Sequence, residues 1–370
     1  MQALSLLSGM TNTASQAALL AQGMRKAGID AKSFSWEENP YAISCDKIFD
    51  MHFSSSMLNK VSNAQKMYRA YTELRDAFDI YYFHSGSSLL PKNKDLGYLS
   101  RHHRLFMEFH GTDLRQGKTF VDTNPYYKEL PQYISNTKLI KKNKHIFSFI
   151  EAAIVHDKEL ELYLPDDVEC VYVPLRINLE YIDSQAKRLR PALETSEDPI
   201  KVVHIPSKRN TKGSAFEKLN AFEKLNEIKV SGKRLFECTL LEHLNHAECL
   251  RAIAEADIYL DQLLIGSYGV AALEAMSLNT LCLCYLNPIV AEEYPKNLPL
   301  VQVDKDNLIE VLKAIALERE SYAKRARSGR KFVECYHEYK KLSLYAYKQI
   351  TQSNKRCRSV QEAFAQQIKE

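Results

Sequence analysis

The sequence predicts an α/β protein built from two doubly wound domains, each a parallel sheet with helices on both faces. Short apolar segments typical of buried strands alternate with amphipathic helix patterns along most of the 370 residues. A chain of this length exceeds one ordinary hydrophobic core, so two domains are expected. A polar stretch with two prolines, residues 184–199, interrupts the alternation and is the predicted linker between domains 1–183 and 200–335.

The first half contains more strand patterns than helix patterns. Helices are predicted at 15–27 and over much of 61–77. The predicted strands are 3–7, 31–35, 80–84, 105–110, 145–150, 152–156 and 170–174.

The second half alternates more regularly. Helices are predicted near 214–227, 247–254, 270–278 and 307–317. The predicted strands are 201–205, 234–239, 258–262, 281–286 and 301–303.

Composition indicates a soluble, cytoplasmic protein. No apolar run approaches the ~20 residues that a membrane span needs. Residues 1–7 lack a positive start and are interpreted as a strand, not a signal peptide. None of the eight cysteines forms a C-x-x-C motif, so buried thiols in a reducing compartment explain them best.

The net charge of +4 is unevenly distributed. Residues 321–370 carry 12 Lys/Arg against 4 Asp/Glu, and residues 92–144 carry 11 against 5. Such stretches suit peripheral contact with an anionic membrane or, equally, ordinary solvated helix faces. No nucleic-acid-binding module is recognisable, so no nucleic-acid partner is expected.

Residues 256–277 hold the most informative motif. An apolar strand pattern enters a turn between Gly266 and Gly269, and a helix pattern follows with Glu274 about one turn inside. Backbone N–H groups at a helix N-terminus suit an anion, and a carboxylate suits sugar hydroxyls. Phosphate next to sugar describes a nucleotide or a nucleotide-sugar.

A second motif lies in the same half, at the end of the predicted strand 201–205. The segment HIPSKRNTKG places Lys208, Arg209 and Lys212 between strand and helix. Arginine binds a diphosphate through two parallel hydrogen bonds and lysine adds a point charge. A solvated basic turn is the alternative.

Three histidines of the first half, His84, His110 and His156, stand at the ends of predicted strands. Together they can line one wall of a cleft, although a histidine at a strand end is often structural. They lack metal-ligand spacing and are interpreted as polar contacts.

These segments together resemble the retaining GT-B glycosyltransferases of glycosyltransferase family 4. The donor-side likeness rests on HIPSKRNTKG and on ADIYLDQLLIGSYGVAALEAMSLN. The acceptor-side likeness rests on LSLLSGMTNTASQAALLAQGMRKAGIDA, YYFHSGSSLLP and FMEFHGTDLR. The resemblance implies two Rossmann-like domains facing a cleft, and a C-terminal segment, 336–370, whose helix crosses back to the first domain before a basic tail.

The resemblance also implies a role for each matching residue. Glu274 would hold the ribose, and Gly269, Val270, Ser267 and Lys208 would complete the donor site. His110 would contact the donor sugar, while Arg209 and Lys212 would neutralise the leaving diphosphate. His84, Gly9 and Asp113 would lie on the acceptor side.

The implied enzyme is a retaining hexosyltransferase that needs no metal or other cofactor. It would use a nucleotide-sugar and a glycan or lipid-linked acceptor in surface polysaccharide or glycolipid synthesis, on the inner face of the plasma membrane. Gly266 stands where the family often has a second glutamate, so a catalytically degenerate binding subunit is an alternative. A GT-B sugar-nucleotide epimerase is another.

Overall fold

The computed structural model describes residues 3–39, 43–51, 56–187, 193, 198–206, 221–230 and 232–369. They form two compact units. The first comprises Met1–Thr119, Ser135–Arg176 and Tyr339–Glu370, and the second comprises Phe120–Ile134 and Ile177–Glu338. The segment Phe120–Ile134 therefore belongs with the second unit although the first surrounds it in sequence.

Strands and helices alternate through most of the described chain. The strands are β1 Leu6–Gly9, β2 Ala31–Ser35, β3 Lys47–Ile48, β4 Ile80–His84, β5 Arg104–Glu108, β6 Ala152–Val155, β7 Cys170–Tyr172, β8 Ile200–His204, β9 Lys229–Val230, β10 Lys233–Arg234, β11 Phe236–Leu240, β12 Ile258–Leu260, β13 Leu281–Cys284 and β14 Val301–Gln302.

The helices have these bounds: α1 Gln16–Lys26, α2 Met57–Leu74, α3 Leu96–His102, α4 Gly117–Thr123, α5 Thr137–Phe147, α6 Lys158–Glu161, α7 Leu179–Gln185, α8 Ala221–Glu227, α9 His246–Glu255, α10 Val270–Ser277, α11 Pro288–Ala291, α12 Leu308–Leu317, α13 Arg319–Arg327, α14 Gly329–Tyr336, α15 Tyr339–Thr351 and α16 Val360–Lys369.

The first unit is built on a seven-stranded parallel sheet in the order β3-β2-β1-β4-β5-β6-β7. Its strands β1, β4 and β6 are buried along their whole length, as both-face coverage by helices requires. Helix α15 packs on α1, where Ser343 Oγ donates a hydrogen bond of 3.1 Å to the carbonyl of Leu19. The C-terminal helices α15 and α16 therefore belong to the first unit, as the family resemblance implies.

The second unit is built on a five-stranded parallel sheet in the order β11-β8-β12-β13-β14. A short antiparallel pair, β9 and β10, lies apart from it. Its core includes apolar residues from β8, β12, β13 and α12. The prediction of two α/β units with parallel sheets is confirmed.

One predicted strand is wrong. Residues 145–147 end helix α5, and the chain then turns toward β6. The Asn136 side chain accepts a hydrogen bond from Leu139 N and caps this helix, while Asn143 and Ile146 form its buried face. The aromatic and β-branched composition of 145–150 resembles a strand, but the cap and the helical spacing override it.

Other predictions are confirmed, confirmed in part or only partly described. All eight cysteines are free, but only four are buried, so the prediction of buried thiols holds for Cys238, Cys282, Cys284 and Cys357 and not for the partly exposed Cys45, Cys170, Cys249 and Cys335. Of the helix predicted at 214–227, only Ala221–Glu227 lies within the described residues. No helix in the described part of the chain is long and apolar enough to span a membrane.

Candidate functional site

The carboxyl end of the first unit's sheet brings the three predicted histidines together. His84 ends β4, His110 follows β5, and His156 follows β6. Neighbouring parallel strands place His84 opposite Glu108, so both side chains project from the same face. His84 Nδ1 lies 3.2 Å from His110 Nε2, and the rings of His110 and His156 lie 5.1 Å apart.

Burial dominates the electrostatics of this histidine cluster. It lowers the pKa of His84 to about 4, and it lowers the pKa of His110 and of His156 as well. All three imidazoles are therefore neutral near pH 7. Neither ring nitrogen of His156 has a hydrogen-bond partner among the described residues.

A buried ion pair that the sequence did not reveal lies beside the histidines. Arg176 follows β7, and its Nη2 donates to both carboxylate oxygens of Glu108 at 2.6 Å. Both side chains are fully buried. Burial opposes ionisation of Glu108, but the Arg176 charge holds the pKa of that carboxyl well below its usual range.

The same cluster contains a set of possible metal ligands. The ligand atoms of His84, Glu108 and His110 lie within 4.8 Å of one another. Imidazole nitrogen and carboxylate oxygen suit zinc or another transition metal. However, both Glu108 oxygens are bonded to Arg176, whose charge opposes a second cation. That the protein works without a metal stays a prediction.

The two remaining acceptor-side residues, Asp113 and Gly9, shape the backbone. The Asp113 carboxylate accepts hydrogen bonds from His110 N at 3.0 Å and Gly111 N at 2.7 Å, which fixes the turn that carries His110. Gly9 ends β1, where a Cβ atom would lie 2.5 Å from the carbonyl oxygen of Phe34. A cavity of about 490 Å³ adjoins this strand end; its lining includes Met10, Asn12, Thr13, Trp36 and Ser87.

In the second unit, the predicted strand-turn-helix motif is present. Strand β12 leads through a buried loop to Gly269, the N-cap of α10. Gly269 and Val270 are partly exposed, and the space beside Gly269 is open. The first N–H groups of this helix have no partner within the helix and therefore offer an anion-binding position. Ser267 is buried, with its hydroxyl 3.4 Å from the carbonyl of Tyr268.

Glu274 has a histidine partner that sequence analysis missed. It lies on α10 and is 7% exposed, and His246 Nε2 at the start of α9 is 2.6 Å from its Oε1. The Tyr181 ring stacks on His246 with centroids 5.5 Å apart. Burial opposes a charge on His246, but the bond to Glu274 raises the pKa of the imidazole.

The loop before α10 excludes a side chain at Gly266. Its φ is +94°, in the left-handed region, and a Cβ there would lie 2.8 Å from Asn287 Cβ. Asn287 N also donates to the Gly266 carbonyl at 2.8 Å. A glutamate at this position would therefore require a different loop.

The segment Phe120–Ile134 forms hydrogen bonds with the loop before α10 and with Asn287. Asn124 Nδ2 donates to the carbonyl of Leu264 at 2.9 Å, and Asn287 Nδ2 donates to that of Thr123 at 2.7 Å. The rings of Tyr126 and Tyr285 pack edge to face at 5.1 Å. These bonds explain why the segment belongs with the second unit.

The three predicted cations of the diphosphate site, Lys208, Arg209 and Lys212, lie outside the described residues. The strand that leads to them is described. His204, at its end, is buried, and its Nδ1 is 2.7 Å from the carbonyl oxygen of Leu260.

No protein-family model matches the sequence, and neither does any curated protein. Solved structures do match the fold. Sucrose-phosphate synthase from Thermosynechococcus elongatus is 13% identical, with 96% of this chain and 99% of that chain covered and a TM-score of 0.65. Anabaena HepE, solved in complex with UDP and glucose, is 9% identical, with 95% and 100% covered and a TM-score of 0.62.

A candidate UDP-N-acetylglucosamine 2-epimerase from Listeria monocytogenes is 14% identical, with 97% and 99% of the chains covered and a TM-score of 0.55. At such identities the likeness shows the fold alone. The two α/β units match the GT-B fold.

Proposed function

We propose that the protein is a glycosyltransferase that moves a sugar from a nucleoside diphosphate to a glycan or lipid-linked acceptor. The observation that carries the proposal is the open N-terminus of α10 with the buried Glu274 one turn inside, in a GT-B fold. A UDP-sugar is the favoured donor, because the matching HepE structures contain UDP or UDP-glucose.

The donor would bind the second unit through two kinds of contact. The diphosphate would accept hydrogen bonds from the backbone at Gly269 and Val270, where the helix dipole favours negative charge. The ribose hydroxyls would donate to Glu274. His246 occupies Oε1 only, and a carboxylate accepts several hydrogen bonds, so Oε2 can take the ribose.

Bond cleavage would leave negative charge on the departing diphosphate. Lys208, Arg209 and Lys212 would neutralise it, which lowers the barrier without a metal ion. His110 would contact the donor sugar. Retention of anomeric configuration and hexose transfer are part of the proposal and rest on the family resemblance.

The acceptor side would use the first unit, at the cavity beside Gly9. A lipid-linked acceptor is consistent with the basic stretches 92–144 and 321–370, since clustered cations attract anionic lipid headgroups. The proposed location is cytoplasmic, peripheral to the inner face of the plasma membrane, in surface polysaccharide or glycolipid synthesis.

Titration of the protein with UDP and UDP-sugars, by calorimetry and thermal shift, tests the donor site. A ligand that binds only the folded protein raises its apparent stability. Replacing Glu274 with glutamine removes a charged acceptor worth about 1.5–3 kcal/mol, so UDP-sugar affinity should fall roughly 10- to 100-fold. Glu255→Gln, at an exposed position of the same unit, is the matched control and should bind normally. Equal affinity in both variants would contradict the donor site.

Two alternatives have specific support. Gly266, where the resemblance leads us to expect a sugar-binding glutamate, favours a subunit that binds without turnover. The Listeria match favours an epimerase. Product analysis separates them: transfer consumes donor and acceptor together, epimerisation proceeds without an acceptor, and a degenerate subunit gives no product.

A further inference from the structure

We infer that Ser8 and His84 are positioning residues that fix His110 as a neutral imidazole with its hydrogen on Nε2, leaving Nδ1 as a hydrogen-bond acceptor. The inference deepens the proposed function, in which His110 contacts the sugar. It also gives His84 a different role from direct contact with an acceptor, because the His84 side chain is fully buried.

The first step concerns Ser8, which has a single hydroxyl hydrogen. Its Oγ lies 2.9 Å from the carbonyl oxygen of Ala17 and 3.0 Å from His84 Nε2, and the residue is fully buried. A carbonyl can only accept, so the hydroxyl hydrogen must point at Ala17. His84 Nε2 must therefore carry a hydrogen and donate it to Ser8 Oγ.

The second step uses the hydrogen on His84 Nε2 to determine which nitrogen of His110 carries a hydrogen. A neutral imidazole carries one N–H, so His84 Nδ1 is a bare lone pair. That lone pair lies 3.2 Å from His110 Nε2, which must then be the donor. His110 is neutral as well, and so its Nδ1 accepts. Any ligand hydroxyl that meets His110 at Nδ1 must act as the donor.

Burial keeps the two imidazoles of the relay formed by Ser8, His84 and His110 neutral, and the charged groups around them largely offset one another. Glu108 on β5 favours protonation of His84 and His110, while Arg176 after β7 and His156 after β6 oppose it. Tyr82 on β4 faces the same ion pair, and burial raises the pKa of its hydroxyl. Because Arg176 offsets Glu108, burial decides the outcome and the histidines stay uncharged.

A metal ion at His84, Glu108 and His110 is incompatible with this assignment. A metal held between the facing nitrogens His84 Nδ1 and His110 Nε2 would need the lone pair of His110 Nε2, whereas the relay places a hydrogen there. The two arrangements can be distinguished on the unliganded protein.

Histidine ¹⁵N NMR of the full-length protein tests the inference directly. At about pH 7, His84 and His110 should each show one tautomer, with the hydrogen on Nε2. A hydrogen on His110 Nδ1, or a shift of both rings with one equivalent of zinc, would overturn it. The spectrum needs no substrate, so it stands apart from failure of UDP-sugar binding.

Variants at His84 sharpen the test. His84→Leu removes the acceptor, so the signal of His110 should move to a mixture of tautomers. His84→Asn keeps an oxygen near the position of Nδ1 and should restore the single tautomer. His102→Gln, at an exposed position of α3, is the control and should leave His84 and His110 unchanged. An unchanged His110 signal in His84→Leu would refute the relay; if that variant does not fold, the wild-type spectrum still decides.

Discussion

The two units each place histidine beside a buried glutamate, yet the histidines respond in opposite ways. In the first unit, burial lowers the pKa values of His84 and His110 next to Glu108. In the second unit, the bond to Glu274 raises the pKa of His246. The difference shows that a carboxylate neighbour does not by itself set the charge of an imidazole.

The two sites differ because the glutamate of the first unit binds a second cation, Arg176, in addition to its histidine neighbours. Arg176 donates to both oxygens of Glu108 and offsets its charge, so the surrounding histidines gain little from becoming charged. His246 bonds Glu274 directly, at 2.6 Å, and this bond favours the protonated imidazole. It does so at the start of α9, where the helix dipole disfavours positive charge. The direct ion pair outweighs the dipole and the partial burial.

Removing Arg176 is the substitution expected to have the largest effect on the contrast between the two sites. In Arg176→Met, the Glu108 carboxylate loses its partner while fully buried, and the expected destabilisation is about 3–5 kcal/mol. The pKa values of His84 and His110 should rise, which makes the first site behave like the second. Urea unfolding at about pH 7 and histidine NMR measure the two effects.

Two further variants control that result. Arg330→Met removes an arginine that binds Asp183 through two hydrogen bonds at a more exposed position, and should cost less than about 1 kcal/mol. Glu108→Gln combined with Arg176→Met should recover much of the stability, because no buried charge remains. Wild-type stability in Arg176→Met alone would mean that the ion pair does not balance the cluster.

Gly266 offers a smaller test, confined to the second site. Gly266→Ala places a Cβ 2.8 Å from Asn287 Cβ on a left-handed backbone, and should destabilise by about 2–3 kcal/mol. Gly269→Ala, three residues later, meets open space at a negative φ and loses only the N-cap preference for glycine, so it should cost no more than about 1 kcal/mol. Thermal melting compares the pair. Equal melting temperatures would mean that the loop accommodates a side chain and that a glutamate would fit there.

The local sequence pattern was sufficient to predict the strands of the two sheets. It did not predict which distant segments of the chain pack with each unit. Strand β4 is recognisable because its apolar run, IYYF, is followed after His84 by the turn residues Ser85 and Gly86. The segment Phe120–Ile134 gives no such signal, because its membership of the second unit depends on hydrogen bonds such as that from Asn124 to Leu264, 140 residues away.

The residues of the candidate site likewise fall into those that the local sequence predicted and those that depend on distant contacts. Strand ends revealed His84 and His110, and the strand-turn-helix motif revealed Glu274, but Arg176 and His246 were missed. Arg176 pairs with Glu108 across 68 residues, and His246 with Glu274 across 28. One signal was available: Glu108 interrupts the apolar segment FMEFH, and a carboxylate inside a buried strand requires a charged partner.

The smallest expected effect is the pH dependence of His246→Gln. A pKa raised by folding means that the folded state binds the proton more tightly than the unfolded state. The resulting stabilisation is fully present below the ordinary pKa of about 6.5 and is lost as the pH rises through the raised value. His246→Gln should therefore cost about 1–2 kcal/mol near pH 5.5 and little near pH 9.

Unfolding by urea at both pH values measures this difference, and His243→Gln, three residues earlier and outside the pair with Glu274, is the control. A loss that grows with pH would mean that His246 is neutral beside Glu274. The contrast between the two sites would then disappear, because both glutamates would be surrounded by uncharged imidazoles.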